Sequence, residues 1–274
     1  MITTILATTP TLDTGNTAWM MMSTILVLLM SIPGIALFYG GLVRQKNVLS
    51  VVMQTMLIVG AVSLIWVAFG YSWAFDDSYK TSGSPLFFII GGWGKAFLHG
   101  VTTDKLMPTG IPELTFVMFQ CMFALITPAL ILGAFAERIK FKGYMVFTLL
   151  WVIIAYLPMA HWVWGGGFLQ EMGAIDFAGG TVVHINAGVS ALVMALMIGK
   201  REDYRVGHPI TPHNIMFVFL GTSFLWLGWF GFNAGSGLAA DGPDANAFLV
   251  THVATATAAM TSMAVDWCFN KKPT

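Results

Sequence analysis

The chemistry open to this chain rests on a few polar and aromatic residues set inside long apolar stretches. His184 stands in Thr181-Val-Val-His-Ile-Asn-Ala-Gly188, the eighth residue of a charge-free window. An imidazole donates, accepts and relays protons near neutral pH. An ionisable group at membrane depth is costly and usually faces a cavity or a partner. Its neighbours at i+3, i+4 and i+7 are Ala187, Gly188 and Ala191, a small-residue face suited to close helix packing. The plain alternative is a neutral ring bonded to a backbone carbonyl.

Two further groups repeat at helical spacing. Phe116, Phe119, Gln120 and Phe123 share one face, and Trp229, Phe232, Asn233 and Ser236 share another. On spacing alone both read first as packing stripes, with Ser236 bonded to its own backbone or to a neighbouring helix. Trp164 opens the run Gly165-Gly166-Gly167. A Trp there reads as an interfacial belt residue, while the glycines allow a sharp bend or a close backbone approach. Asp176, in Asp176-Phe-Ala-Gly-Gly180, is placed to cap the helix that carries His184.

These residues need elements that cross a bilayer. The chain has 274 residues, 57% hydrophobic and 9% charged, with a mean hydropathy of +0.76. A soluble domain carries about 25% charged residues, so this composition marks an integral membrane protein. Thirteen basic residues balance thirteen acidic ones, leaving no basic field for nucleic acid and excluding disorder. Cys121 and Cys268 form neither a disulfide framework nor a metal-binding spacing. No cleavable signal peptide stands out in the Thr-rich first seventeen residues.

Seven charge-free windows reach the roughly 20 residues a spanning helix needs. The expected spans are approximately 17–42, 48–73, 114–136, 143–163, 179–199, 213–238 and 245–267. The stretch 81–94, with its apolar patch Leu86 to Ile90, is too short and glycine-rich to cross and reads as part of an outer loop. Alternating strand patterns are missing from the windows, which disfavours a β-barrel. Arg44, Lys46, Arg138, Lys140, Lys142, Lys200, Arg201, Arg205, Lys271 and Lys272 all fall on alternate loops. The positive-inside rule therefore expects the N-terminus outside and the C-terminus, with Lys272, inside. Seven spans also suit a heptahelical receptor or a retinal protein. The latter needs a Schiff-base lysine, and residues 245–265 contain none.

Five segments, in order, resemble the ammonium transporter (Amt/Mep/Rh) family and are closer to its Amt branch. They are Ile32-Pro-Gly-Ile-Ala-Leu-Phe-Tyr-Gly-Gly-Leu42, Gly133-Ala-Phe-Ala-Glu-Arg138, Ala160-His-Trp-Val-Trp-Gly-Gly-Gly167, Asp176 to Gly188, and Gly228-Trp-Phe-Gly-Phe-Asn-Ala-Gly-Ser236. The resemblance implies an all-α membrane fold and transport of ammonium or ammonia rather than enzymatic catalysis. It implies that Trp164 and Ser236 recruit the cation outside, with Phe119 and Phe123 as the gate below. Trp229 and Phe232 would line the path, Gln120 would sit beside the gate, and His184 would be the first of two pore histidines. Asp176 would be the structural carboxylate. No cofactor or metal is implied.

The implied chemistry agrees with elementary energetics. Aromatic faces attract cations by up to about 2 kcal/mol when desolvated, and a serine oxygen accepts an N–H bond. Charge crosses hydrocarbon badly, so a dry passage favours shedding the proton and conducting neutral ammonia. Potassium has no N–H to donate or lose.

The family has about eleven spans built as inverted repeats of five plus a final helix. This chain carries the equivalent of the first repeat and two helices of the second, ending at Asn270-Lys-Lys-Pro-Thr274. The partner pore histidine has no counterpart, and His252 reads as a packing or interfacial residue. The expectation is a C-terminally truncated transporter whose His184 face lacks its partners and which does not transport alone. The rival is a non-transporting sensor or interaction module on the same fold, or an inactive fragment. The resemblance further implies a homotrimer in the cell membrane, with a PII-type regulator as a possible cytoplasmic partner.

Overall fold

The computed structural model describes residues 10–207 and 210–271; Lys272, the inner marker of the expected orientation, lies outside them. Seven helices are long and apolar enough to cross a membrane, the number expected. They are α1 (Thr14–Leu42), α2 (Gln45–Phe75), α3 (Glu113–Phe135), α4 (Phe141–Glu171), α5 (Gly180–Ile198), α6 (Ile215–Gly237) and α7 (Gly242–Asn270). Among the described residues the only β-pairing is an isolated bridge between Leu106 and Pro112.

The helix starts follow from local chemistry. Asp13, Asn214 and Asp241 stand before α1, α6 and α7, and each carboxylate or amide oxygen accepts a first-turn backbone N–H. Such caps satisfy donors that have no partner within the helix. Wide π-turns interrupt four helices, at Met30–Ile35, Trp66–Gly70, Val152–Tyr156 and Gly180–Ile185. The first contains Pro33, which removes a ladder donor; the last contains His184.

Packing centres on α3, most of whose apolar stretch is buried against α1, α2, α4 and α5. The α1–α6 pair is close because α6 presents glycines. A side chain on Gly221 would strike the Phe38 backbone, and one on Gly228 would strike Leu26 and Met30. In lipid, where apolar surface gains nothing from association alone, such backbone approach is what holds helices together. At the periphery, α7 packs on α6 and leaves most of its surface open. His252 lies on that open helix, with its ring beside Trp226 and Phe230.

Two carboxylates tie the loops. Glu113, at the start of α3, is buried and receives the Tyr71 hydroxyl at 2.7 Å, with Lys95 and Lys105 each at 2.8 Å. On the opposite face Glu137 accepts from Asn47 Nδ2 at 2.7 Å, from the Arg44 backbone at 2.7 Å and from the Arg201 guanidinium. It thereby joins the loops that follow α1, α3 and α5. Burial alone would raise the Glu137 pKa, but the Asn47 and Arg44 hydrogen bonds and the Arg201 charge outweigh it and hold the carboxyl below the usual range.

Candidate functional site

The site is built on the C-terminal ends of α4 and α6 and the N-terminal end of α5, around the buried face of α3. Its anchor is Asp176. One carboxylate oxygen accepts the backbone N–H groups of Gly179 and Gly180 at 2.6 and 2.8 Å. The other accepts those of Thr181 and Val182 at 2.8 and 2.9 Å. A carboxylate has about four acceptor positions, so this one is saturated by the first amides of α5. The Asp176 carbonyl in turn accepts the Trp164 indole N–H at 2.8 Å. The residue whose carboxylate starts α5 therefore also orients Trp164 of α4, through its backbone carbonyl.

The triglycine run explains how α4 reaches that position. A side chain on Gly165 would collide with the Ala74 carbonyl at the outer end of α2, and Gly166 takes φ +84. His161, one turn earlier, presents its ring nitrogens to two carbonyls, Phe87 at 2.8 Å and Ala74 at 3.3 Å. A neutral ring donates to one of them, and the shorter contact is the better bond.

Trp164 faces a cavity of about 420 Å³ whose wall includes Phe75, Phe116, Gln120, Phe123, Asp176 and Ser236. The Phe123 ring meets Trp164 edge to face at 5.7 Å and lies against Phe232 at 4.5 Å. Ser236 Oγ donates its proton to the Phe232 carbonyl at 2.7 Å, so its oxygen remains an acceptor toward the cavity. Gln120 is buried in the wall, and its Oε1 has no hydrogen-bond partner among the described residues. Below the Phe123–Phe232 pair, His184 lies parallel to the Trp229 ring at 5.9 Å and beside Phe232 at 5.8 Å. The His184 ring is exposed and forms no hydrogen bond among the described residues.

Trp164, Phe123, Gln120, Ser236, Phe232, Trp229 and His184 thus run as one connected series, with Asp176 at its head. Two placements differ from the sequence reading. Phe119 packs behind Phe123 at 5.0 Å, fully buried, and does not line the cavity. Asn233, assigned by spacing to the Ser236 face, turns away and donates to Thr251 of α7 at 2.9 Å. His184 keeps aromatic rings of its own chain against one face, while the rest of the ring stays exposed and without a hydrogen bond among the described residues. Phe75, Met107, Phe177 and Leu238 also line the cavity and escape sequence reasoning. Most come from helix ends and loops, where no periodicity marks which side chain turns inward.

The chain resembles known proteins in sequence and fold. The model of the Ammonium Transporter Family matches residues 18–274. An ammonium transporter of Aquifex aeolicus is 47% identical over 264 residues, covering 96% of this chain and 60% of its own length. One of Bacillus subtilis is 47% identical over 261 residues, covering 95% and 62%. Among solved structures, Candida albicans Mep2 is 34% identical with a TM-score of 0.83 and covers 95% of this chain and 56% of its own. Saccharomyces cerevisiae Mep2 gives 35%, 0.84, 96% and 58%. The chain therefore spans about 60% of the length of the curated relatives it matches. Seven bilayer-length helices, this aromatic series and a family match from residue 18 onward make one assignment: the chain is a multi-pass membrane protein of the ammonium transporter family.

Proposed function

We propose that this chain forms the outer vestibule and upper passage of an ammonium/ammonia pore. The observation that carries the reading is the chemistry of the cavity wall. The Trp164 N–H is spent on Asp176, the Asp176 carboxylate on four amides, and the Ser236 proton on Phe232. Aromatic faces and free acceptor oxygens are left, the set that suits a small cation carrying N–H donors. Ammonium would lie in the cavity against the Trp164 and Phe123 rings and donate to Ser236 Oγ.

Below, the Phe123–Phe232 pair, with rings 4.5 Å apart and tilted by 34°, closes the way. The passage beyond is apolar, so a charged ion pays a desolvation cost that neutral ammonia avoids. Loss of the proton at this boundary leaves ammonia to pass Trp229 and His184, whose unbonded ring nitrogens accept or donate as the solute moves by. Potassium fits the aromatic cage but has no proton to shed, which supplies selectivity.

By the same reading the protein lies in the cell membrane with its N-terminus outside and its C-terminus inside. It assembles as a homotrimer and offers its basic inner loops to a PII-type regulator. The test is uptake of ammonium by vesicles holding the purified chain, with potassium as the competitor. Flux that depends on Trp164 and His184 and ignores potassium is expected of a functional pore. Saturable ammonium binding without flux would favour a sensor, or a pore that this chain does not complete by itself. That second reading has its own support, since a protein described as a sensor Amt protein is 31% identical with a TM-score of 0.84. Neither binding nor flux would overturn both.

A further inference from the structure

The loop between α2 and α3 carries an aromatic surface that the transport site does not use. Phe88 is 61% exposed, Trp93 51% and Phe97 79%, with Leu86 and Ile89 about half exposed beside them. We propose that residues 85–97 form a fixed interfacial element that seats on the outer leaflet of the bilayer, at the boundary between headgroups and acyl chains. The proposal rests on the chain being a multi-pass membrane protein and is independent of what it transports.

Depth is the first argument. α2 has 31 residues, a rise of roughly 45 Å, against about 30 Å of hydrocarbon and about 40–45 Å with headgroups included. Its last turn therefore reaches the headgroup layer. The loop is stitched to that turn. Gly91 N donates to the Trp73 carbonyl at 2.8 Å, Lys95 N to Ser72 Oγ at 3.0 Å, Ser72 Oγ to the Gly92 carbonyl at 2.9 Å, and Lys95 Nζ to the Phe75 carbonyl at 3.2 Å. Asp76 locks the same segment by accepting from Gly94 N at 2.6 Å. The loop is held at one level.

Continuity with lipid-facing surface is the second argument. Leu64 and Val67 form an exposed apolar stripe on the outer half of α2. Phe69 and Trp73 extend toward the end of the helix, and Trp93 packs on both, at 5.9 and 5.4 Å. At the neighbouring helix, Phe88 stacks on Phe168 at 4.8 Å, which in turn touches Trp162 at 5.3 Å. The loop thus links the outer ends of α2 and α4 through one aromatic band. Trp and other amphipathic rings collect at this level of a membrane.

Backbone strain is the third. Phe97 and Leu98 both take left-handed conformations, at φ 52 and 59, which bulky residues rarely adopt. The pair turns Leu98 onto the core and leaves Phe97 pointing out. A fold that holds this cost while exposing a phenylalanine to water would lose on both counts; seating the ring in the interface offsets it.

The test places nitroxide labels at Phe88→Cys and Phe97→Cys, in a Cys268→Ser background, with the chain in phosphatidylcholine vesicles. Thr103→Cys, on an exposed turn of the same loop region, is the aqueous reference. The expected result is a ratio of oxygen to nickel-chelate collision rates several-fold higher at 88 and 97 than at 103. Leu86→Cys gives an independent reading if either phenylalanine variant fails to fold. Equal nickel accessibility at all sites would put the loop in water and overturn the proposal. Exclusion of both reagents at 88 and 97 would show a second protein surface covering the loop and overturn it as well.

Discussion

Asp176 and His184 lie on one short stretch of chain and meet opposite circumstances. Asp176 is saturated: four backbone amides fill its oxygens and its carbonyl holds Trp164. His184 has two aromatic rings against it and no hydrogen bond among the described residues. The first residue completes its bonding with the chain itself and so is architecture. The second keeps its bonding capacity open, which the proposed pore uses for a moving solute. Polar satisfaction, more than residue type, separates the scaffold of this site from its working parts.

The largest expected effect is at the saturated end. Asp176→Asn leaves two of the four amides facing an NH2 group, at a cost of about 3 kcal/mol or more. Thermal unfolding in detergent should drop accordingly, with loss of ammonium recognition because the turn whose backbone carbonyl holds Trp164 is no longer pinned by the carboxylate. A variant as stable as the parent would break the comparison.

Glu137 shows whether saturated carboxylates hold this protein together generally. Glu137→Gln should cost about 2 kcal/mol at neutral pH, because it removes a charged acceptor from the Asn47, Arg44 and Arg201 donors. The folded pKa lies below the unfolded one. Its stabilisation is therefore complete above the unfolded value, about 4.3, and is lost as pH falls through the lower folded value. The melting temperature of the parent should fall in that acid window, and that of the variant should not share the fall.

Trp164 stands between the two extremes. Trp164→Leu removes both the cation-binding ring and the bond to Asp176, and should weaken recognition by up to about 2 kcal/mol, roughly thirtyfold. Trp164→Phe keeps a ring and loses only the N–H, about 1 kcal/mol. Half-saturation for ammonium measures both. Equal losses would assign the role to the hydrogen bond, and no loss would assign the residue to the interfacial belt.

His184→Ala should change stability least, by under about 1 kcal/mol, since it removes one exposed, stacked ring. Ammonium binding at the vestibule should persist as well. A large drop in melting temperature would instead make His184 scaffold and erase the contrast with Asp176.

Much of this was legible from residue order. Charge placement marked seven helices because unpaired charge does not rest in hydrocarbon, and Asp176 stood one turn ahead of a helix whose first amides lack partners. The motif residues around Trp164, His184 and Ser236 were visible for the same reason: polar groups inside apolar runs are conspicuous. Which of them meet was not. Phe119 and Phe123 share a helical face, yet only Phe123 reaches the cavity; Asn233 and Ser236 share another, yet Asn233 turns to bond Thr251 of α7. Periodicity defines an angle around one helix axis and carries no information on where the neighbouring axis lies. The glycine contacts of α1 and α6, the Gly165 approach to α2 and the burial of α3 set those distances. Phe75, Met107 and Leu238 enter the cavity from helix ends and loops, positions decided only when the packed helices bring their termini together.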